Sequence, residues 1–588
     1  VELTAELVVS GLRVGGPAVS PDGRSVVFAA RGVGDGAEER PEGLRWCGEP
    51  AELVFRVGGQ LCAVGASGPA RVLADLPEGV RWHLPLASGE VALAVPGPGG
   101  AARLSLLDPV SGVSRAVDLG ERHVAEAAQR PDGGPLAVLT WEGPGYDPGL
   151  LRPRVHLVDL VDLAVRDLGP VAAGARSPAW WRSGDRWRLA HLALTPPGLQ
   201  AGMAVFDAEV PESGAIAGHV NRTAGLAACP LELVQVERGA PLVLVAAGLD
   251  TEIHRLGEAG LTLLARHEAR VERLAADGTG EVVAAVVSRG DAPPDVCSGP
   301  VGGELSRVSD SRPELRGIRW GERLRLSCSA PDGVELDGLL VLPPGRGELD
   351  GPFPLVVLPH GGPYDRHADG FALDWHPSAQ WLAHAGFAAL LPNPRGGAGR
   401  GHEFAAAVAG RVGHEELTDL LALLDHVVGL GVADPERVGI AGWSHGGYLA
   451  AWAVATTDRF AAALVGAGVS DWGRQGAEGE WGAFDAALAC GEAEDHDPVA
   501  RAAGIRAPVL LVHGAEDVNV PVSQAELLRD ALVEHGVEHE LVVYEGEGHV
   551  IEGVEQQVDL LERTREWFTR WLVGEGVGAD GGRGGGRA

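Results

Sequence analysis

The sequence predicts a two-domain chain. An N-terminal all-β domain with propeller-like spacing precedes a C-terminal α/β domain with a mostly parallel sheet. Three observations predict this. A length of 588 residues suits two units near 300 better than one compact domain. Up to about residue 310 the chain is short apolar runs between turn signals, without long amphipathic helices. From about residue 320 apolar strands alternate with helical patterns.

In the first domain the turn chemistry is explicit. Ser20-Pro21-Asp22-Gly23 and Arg130-Pro131-Asp132-Gly133 each precede an apolar run. Proline presets φ and glycine supplies φ > 0, so both read as hairpin turns. Looser versions stand at Gly89, Gly184, Gly239 and Asp277. With Asp22 and Asp132 these anchors fall about 50 residues apart, near the about 40–50 of a propeller blade.

The second domain reads strand by strand. Residues 353–358 and 387–391 are apolar strands, and 415–430 carries apolar residues at helical spacing before Gly431. A strand at 438–441 leads into Gly442, with a helix over 447–456 behind it. Residues 508–512 and 541–544 are further strands, 522–534 a helix, and 552–573 a closing amphipathic helix. From 574 to 588 the chain is glycine-rich without apolar anchors and is expected to be disordered.

Composition excludes several function classes. A net charge of −33 is repelled by phosphate backbones and anionic lipid, so neither nucleic acid nor a membrane surface is expected as partner. All 48 basic residues are arginine, which excludes chemistry through a lysine Schiff base. No apolar run reaches the about 18 residues of a membrane-spanning helix, and the start lacks a signal-peptide pattern. The six cysteines lack any CxxC pair, and they read as free thiols in a reducing cytoplasm. His402-Glu403 and His414-Glu415 lack the second histidine of H-E-x-x-H, so no metal site is expected.

Gly442-Trp443-Ser444-His445-Gly446 matches the G-x-S-x-G nucleophile elbow of a strand-to-helix turn. With 87 glycines in the chain, about half a match arises by chance, so context decides. A serine nucleophile needs a base, an orienting acid and an oxyanion hole. Glu516 and Asp517 follow the strand at 508–512, and either can be the acid. His549 lies in a glycine-flanked loop after the last strand. His535 and His539 are rivals, placed at a helix end and in the turn after it. Upstream, His360-Gly361-Gly362-Pro363 follows a strand as a backbone N–H donor loop would, and the N–H of His445 is the second donor. The order Ser, acid, His is that of an α/β-hydrolase.

These loops, together with Asn393-Pro394-Arg395-Gly396, Asp434-Pro435-Glu436-Arg437 and Gly548-His549, resemble the prolyl oligopeptidase family of serine peptidases. The likeness is greatest to its acylaminoacyl-peptidase and dipeptidyl-aminopeptidase-like branch. The resemblance implies a seven-bladed propeller over residues 1–315 and an α/β-hydrolase domain over 316–573. It implies Ser444 as nucleophile, Asp517 as orienting acid, His549 as general base, and Gly362 and His445 as oxyanion donors. No cofactor is implied; the substrates would be oligopeptides admitted past the propeller. Oligomeric state stays open, with a homo-oligomer among the options. A carboxylesterase with the same triad and a catalytically idle propeller scaffold are the alternatives.

The chain also departs from the family. Asn519 stands where many relatives carry an arginine two residues after the catalytic aspartate, offering the substrate an uncharged donor. Pro394 and Arg400 replace common tyrosines, and Arg395 reads as a structural loop residue. Trp472 and Tyr448 are candidate pocket residues beside Asn519, and Trp443 reads as pocket wall or packing. Glu38-Glu39 is a candidate site for a substrate amino terminus, weighed against a solvated loop.

Overall fold

A computed structural model describes residues 3–32, 42–47, 52–57, 59–65, 69–76, 79–145, 147, 151–376, 378–489 and 495–574. Glu38-Glu39 and the tail from 575 onward lie outside the described residues.

The turn signals of the first domain become hairpins. At Gly23 and Gly133 φ is 71° and 81°, which glycine adopts without a Cβ penalty. Asp22 and Asp132 tighten these turns by accepting the N–H of Arg24 (3.1 Å) and Gly134 (3.0 Å) through their side chains. Hairpins repeated in this way build four-stranded antiparallel sheets over 42–75, 82–116, 123–170, 176–221, 229–267 and 270–307. Their first strands succeed one another around a ring.

Seven blades are not what the described residues hold. Six sheets are four-stranded, and the remaining sector is filled by a two-stranded sheet of Leu12–Val19 and Val26–Gly32. Leu12–Val19 packs against Arg270–Ala276 on one side and Glu42–Cys47 on the other. Among the described residues this sector holds a single hairpin, and the next blade begins at Glu42.

Between Ser306–Arg307, the last propeller strand, and Arg323–Ser329 the chain crosses into the second domain. Its eight-stranded sheet runs in the spatial order Arg323–Ser329, Glu335–Val341, Ala388–Asn393, Phe353–Val357, Ala433–Trp443, Ala462–Gly466, Val509–Gly514, His539–Tyr544. The first three of these pair antiparallel and the rest parallel. Parallel strands are covered on both faces, which is why they read as unbroken apolar runs. Leu355 and Val357 face the helices His414–Gly429 and His445–Thr456, while Val356 and Leu358 face Ala379–His384 and Val554–Phe568. Each such fully buried side chain contributes about 1.5–3 kcal/mol.

The first helix, Ala5–Val9, belongs with the second domain. Ala5, Val8 and Val9 pack with Leu315, Phe371, Trp381 and Leu561. Across the interface the propeller's Met203 N–H donates to Tyr364 Oη (2.8 Å), and Gln200 Nε2 donates to the Ala405 carbonyl (2.8 Å). Phe371 N–H donates to Ser288 Oγ (3.0 Å), and Arg325 pairs with Asp250 (2.7 Å).

Arg395 is structural, as its sequence context suggests. Its guanidinium donates to both oxygens of Asp419, at 2.9 and 2.7 Å, and its N–H donates to the same carboxylate at 2.9 Å. Asp419 is fully buried in the helix His414–Gly429, so this fork pins the loop after Ala388–Asn393 to that helix. Removing one partner of such a pair strands the other charge and costs about 3–5 kcal/mol. Asp419→Ala is therefore expected to lower the first thermal transition by several degrees while leaving the far-ultraviolet dichroism of the folded protein intact. An unchanged melting profile would contradict this role.

Candidate active site

The strand Ala433–Trp443 ends one residue before the helix His445–Thr456 begins, and Ser444 is the residue between them. Its backbone sits at φ 58°, ψ −124°, a conformation costly for any residue with a Cβ. The glycines of the motif exist for steric reasons. A Cβ on Gly442 would overlap the Gly446 carbonyl, and one on Gly446 would overlap the Pro359 carbonyl. Without side chains at both positions the turn closes and Ser444 stands clear.

Around Ser444 the expected partners assemble. Ser444 Oγ lies 2.9 Å from His549 Nε2, and His549 Nδ1 lies 2.7 Å from Asp517 Oδ2. The other oxygen of Asp517 accepts the N–H groups of Asn519 and Val520, each at 2.9 Å. Asp517 is buried whereas Glu516 is exposed, which separates two acids that adjacent positions alone could not. His535 is exposed at a helix end, and His539 Nδ1 faces the Val537 carbonyl at 2.8 Å. Burial would raise the pKa of Asp517, but hydrogen bonds from His513 and His549 and the N–H of Val520 outweigh it and hold it near about 2. His513 Nε2 is 2.7 Å from the Val520 carbonyl and 3.4 Å from Asp517 Oδ2, so the carboxylate is its secondary acceptor.

Several supporting roles carried no sequence signal. Trp443 Nε1 donates to the His549 carbonyl (2.8 Å), so the residue before Ser444 also holds the histidine loop. Glu547 accepts the N–H groups of Glu552 (2.7 Å) and Gly553 (3.0 Å), closing that loop around His549. His445 Nε2 meets Glu416 Oε1 at 2.5 Å in a buried pair, and the other oxygen of Glu416 accepts the Gly413 N–H. Glu416 thereby fixes the residue whose backbone N–H opens the helix beside Ser444. Adjacency to Ser444 singled out Trp443 only as pocket wall or packing, not as a holder of the His549 loop; Glu416 lies too far away in sequence to be tied to His445.

Two cavities meet at Ser444. One, of about 410 Å³, is bordered by Gly362, His445, His549, Trp472, Phe484 and Asn519, with Leu194 and Met203 contributed by the propeller. The other, of about 400 Å³, lies between the His360-Gly361 turn, Trp375-His376 and the propeller residues Arg270 and Glu272. Burial pushes His367 and His376 down to about 3, so these two imidazoles are neutral near pH 7. Of the candidate pocket residues, Trp472 and Asn519 line the first cavity. Tyr448 does not. It is fully buried behind Trp472, whose ring it meets edge-on at 5.0 Å, because the helix His445–Thr456 turns that face into the core. Among the described residues no His, Cys, Asp or Glu cluster has metal-binding geometry, no helix is long and apolar enough to cross a membrane, and Cys62, Cys229, Cys297 and Cys328 are free.

With this geometry in place, comparison with known proteins is informative. Residues 373–575 match the pattern of the Prolyl oligopeptidase family. The chain is 30% identical over 303 residues to the uncharacterized peptidase YuxL of Bacillus subtilis, covering 49% of this chain and 45% of that protein. It is 27% identical over 237 residues to the acylamino-acid-releasing enzyme of Arabidopsis thaliana, covering 37% and 30% respectively. The chain thus spans less than half the length of these curated relatives. In fold it is similar to a puromycin-hydrolyzing peptidase of Mycobacterium tuberculosis, with a TM-score of 0.74 at 20% identity over 98% of this chain and 97% of the other. It is also similar to the Pyrococcus horikoshii acylaminoacyl peptidase, with a TM-score of 0.65 at 16% identity over 99% of both.

The depressed pKa of Asp517 has a consequence for stability. A carboxylate whose folded pKa is near about 2, against about 3.9 unfolded, stabilises the fold by about 2 kcal/mol above pH 4. That contribution is lost as pH falls from about 4 through about 2. Asp517→Asn should therefore melt below the wild type at pH 7, with the gap closing across that acidic window. A gap independent of pH would remove the charge from the explanation.

Proposed function

We propose, from the premise that residues 373–575 belong to the prolyl oligopeptidase family, that this chain is a serine peptidase hydrolysing short peptides through an acyl-enzyme. The observation that carries the proposal is the hydrogen-bonded line Ser444–His549–Asp517 standing where two cavities meet. A peptide bond needs room on both sides of its carbonyl, and the two cavities supply it.

In this reading Ser444 Oγ attacks the carbonyl carbon while His549 Nε2 takes the hydroxyl proton. Asp517 holds His549 through Nδ1 and stabilises the imidazolium that forms. The developing oxyanion is met by the N–H groups of His445 and Gly362, in a low-dielectric wall where such donors are worth most. The tetrahedral intermediate then expels the amine, which receives the proton from His549. Water repeats the sequence on the acyl-enzyme and frees Ser444. Wall residues from the propeller, Leu194 and Met203, support a substrate that enters between the domains and is too small to be a folded protein. The names borne by the similar proteins, acylamino-acid-releasing enzyme and puromycin-hydrolyzing peptidase, fit an enzyme of small amide substrates.

A fluorophosphonate should label the wild type and leave Ser444→Ala unlabelled. On aminoacyl and N-acylated anilides Asp517→Asn should lose about a thousandfold or more in kcat, while exposed Glu516→Gln stays within about twofold. Turnover of simple esters alone, or a dead Glu516→Gln beside an active Asp517→Asn, would overturn the reading.

A further inference from the structure

We infer that Asp485, held by Gln475, forms a cation-binding subsite in the wall of the Trp472 cavity, so that the preferred substrate carries an ammonium group close to its scissile carbonyl. This rests on the peptidase reading, and it adds what that reading lacks: the chemistry of the group recognised.

Asp485 lies on the short helix Gly482–Leu488 and borders the same cavity as Ser444, His445 and His549. Gln475, on Trp472–Glu478, is 1% exposed. Its Nε2 donates to Asp485 Oδ2 (2.8 Å) and to the Asn519 carbonyl (2.7 Å), which commits both N–H groups of the amide. That assignment leaves Gln475 Oε1 buried without a partner among the described residues. Asp485, half-buried at the cavity, keeps Oδ1 without a hydrogen bond and forms no ion pair among the described residues. A buried acceptor without a donor, as Gln475 Oε1 is, is costly, and native proteins seldom leave one beside a cavity without a ligand. The buried oxygen of Gln475 and the open oxygen of Asp485 are both acceptors, so the fitting ligand is a donor.

The surroundings favour a cation over a neutral donor. Trp472, Trp481 and Phe484 border the cavity, and aromatic faces attract ammonium groups. Asp147 of the propeller faces the same helix, accepting the Ala483 N–H at 2.9 Å, and adds negative charge. The guanidinium in this wall, Arg176, lies on the propeller side and donates to the Leu231 carbonyl (3.3 Å). Burial, then Asp147, push Asp485 up to about 6, against the pull of Gln475, His445 and His549. The group is therefore charged at neutral pH and loses its charge as pH falls through about 6.

An ammonium here has two sources: the free α-amino group of an aminoacyl substrate, or the side chain of a basic residue. Phenylalanine anilide against N-acetyl-phenylalanine anilide tests the first. N-acetyl-lysine anilide against N-acetyl-norleucine anilide tests the second. In the full-length enzyme one ammonium-bearing member should exceed its neutral counterpart by about 10–100-fold in kcat/KM. Asp485→Asn keeps the shape and can still accept from Gln475, so it should abolish that preference mainly through KM. N-acetyl-phenylalanine anilide should change by less than about threefold. Equal losses on all four substrates, or no preference for the ammonium-bearing member in either pair, would overturn the subsite.

Binding keeps the inference separate from the peptidase reading. Calorimetry on Ser444→Ala, with and without Asp485→Asn, compares the corresponding amides in place of anilides. A preference for an ammonium-bearing amide that disappears with Asp485→Asn upholds the subsite even if no anilide is cleaved. Equal affinities within both pairs would end it.

Discussion

The structure depends on one strained residue. Ser444 is held at φ 58° between the end of a strand and the start of a helix, and this conformation survives only because its surroundings leave no alternative. Its N–H is tied to the Gly466 carbonyl at 2.9 Å on the neighbouring strand. Gly446 lies against the carbonyls of Pro359 and His360, and Gly447 against that of Gly466. Three chain segments therefore approach backbone to backbone at Ser444. A side chain on Gly446 would push the Pro359-His360 loop away from Ser444, and one on Gly447 would meet the strand at Gly466.

Buried polar groups then do what packing cannot. Apolar contacts are non-directional and cannot set the rotation of an imidazole ring. Hydrogen bonds can. Asp517 fixes one edge of His549, Trp443 fixes its carbonyl, and Glu547 shapes the loop on which it rides. On the other side Glu416 holds His445 and, through Gly413, the start of its own helix. The α/β domain thus spends four buried or half-buried polar groups to orient two residues beside Ser444.

How much of this was legible follows from sequence separation. Local signals were read well: the turn anchors at Asp22, Gly89, Asp132, Gly184, Gly239 and Asp277 each lie between the first and second strands of a sheet. The longest interval, from Asp22 to Gly89, concealed the sheet over 42–75, whose first turn is outside the described residues. The seven blades came from the family resemblance, whereas the described residues hold six four-stranded sheets and a two-stranded sector. Order of loops along the chain singled out Ser444, the adjacent acids Glu516 and Asp517, and His549, since strand ends of a parallel sheet gather on one edge; the resemblance, not the loop order, chose between the two acids. Tyr448 was misplaced for want of a helix phase: its spacing from Ser444 did not reveal which face met the core. Glu416 was invisible because it lies far in sequence from His445, and Gln475 because its partner Asp485 belongs to no motif.

The cavity wall also explains why the propeller is more than a cover. Asp147 accepts the Ala483 N–H at the first turn of Gly482–Leu488, where a carboxylate favours the free N–H groups of a helix start. That short helix carries Phe484, Asp485 and Leu488 into the wall beside Ser444. Seven residues are too few for a helix to hold itself in water, so its position is set by what packs against it. Part of that packing comes from the α/β domain through Gln475, and part from the propeller through Asp147. A displacement of the propeller would therefore withdraw a cap from the helix at the same time as it moves Leu194 and Met203 out of the wall. Shape and charge of the pocket are in this way tied to one interface, and neither domain alone contains the complete site.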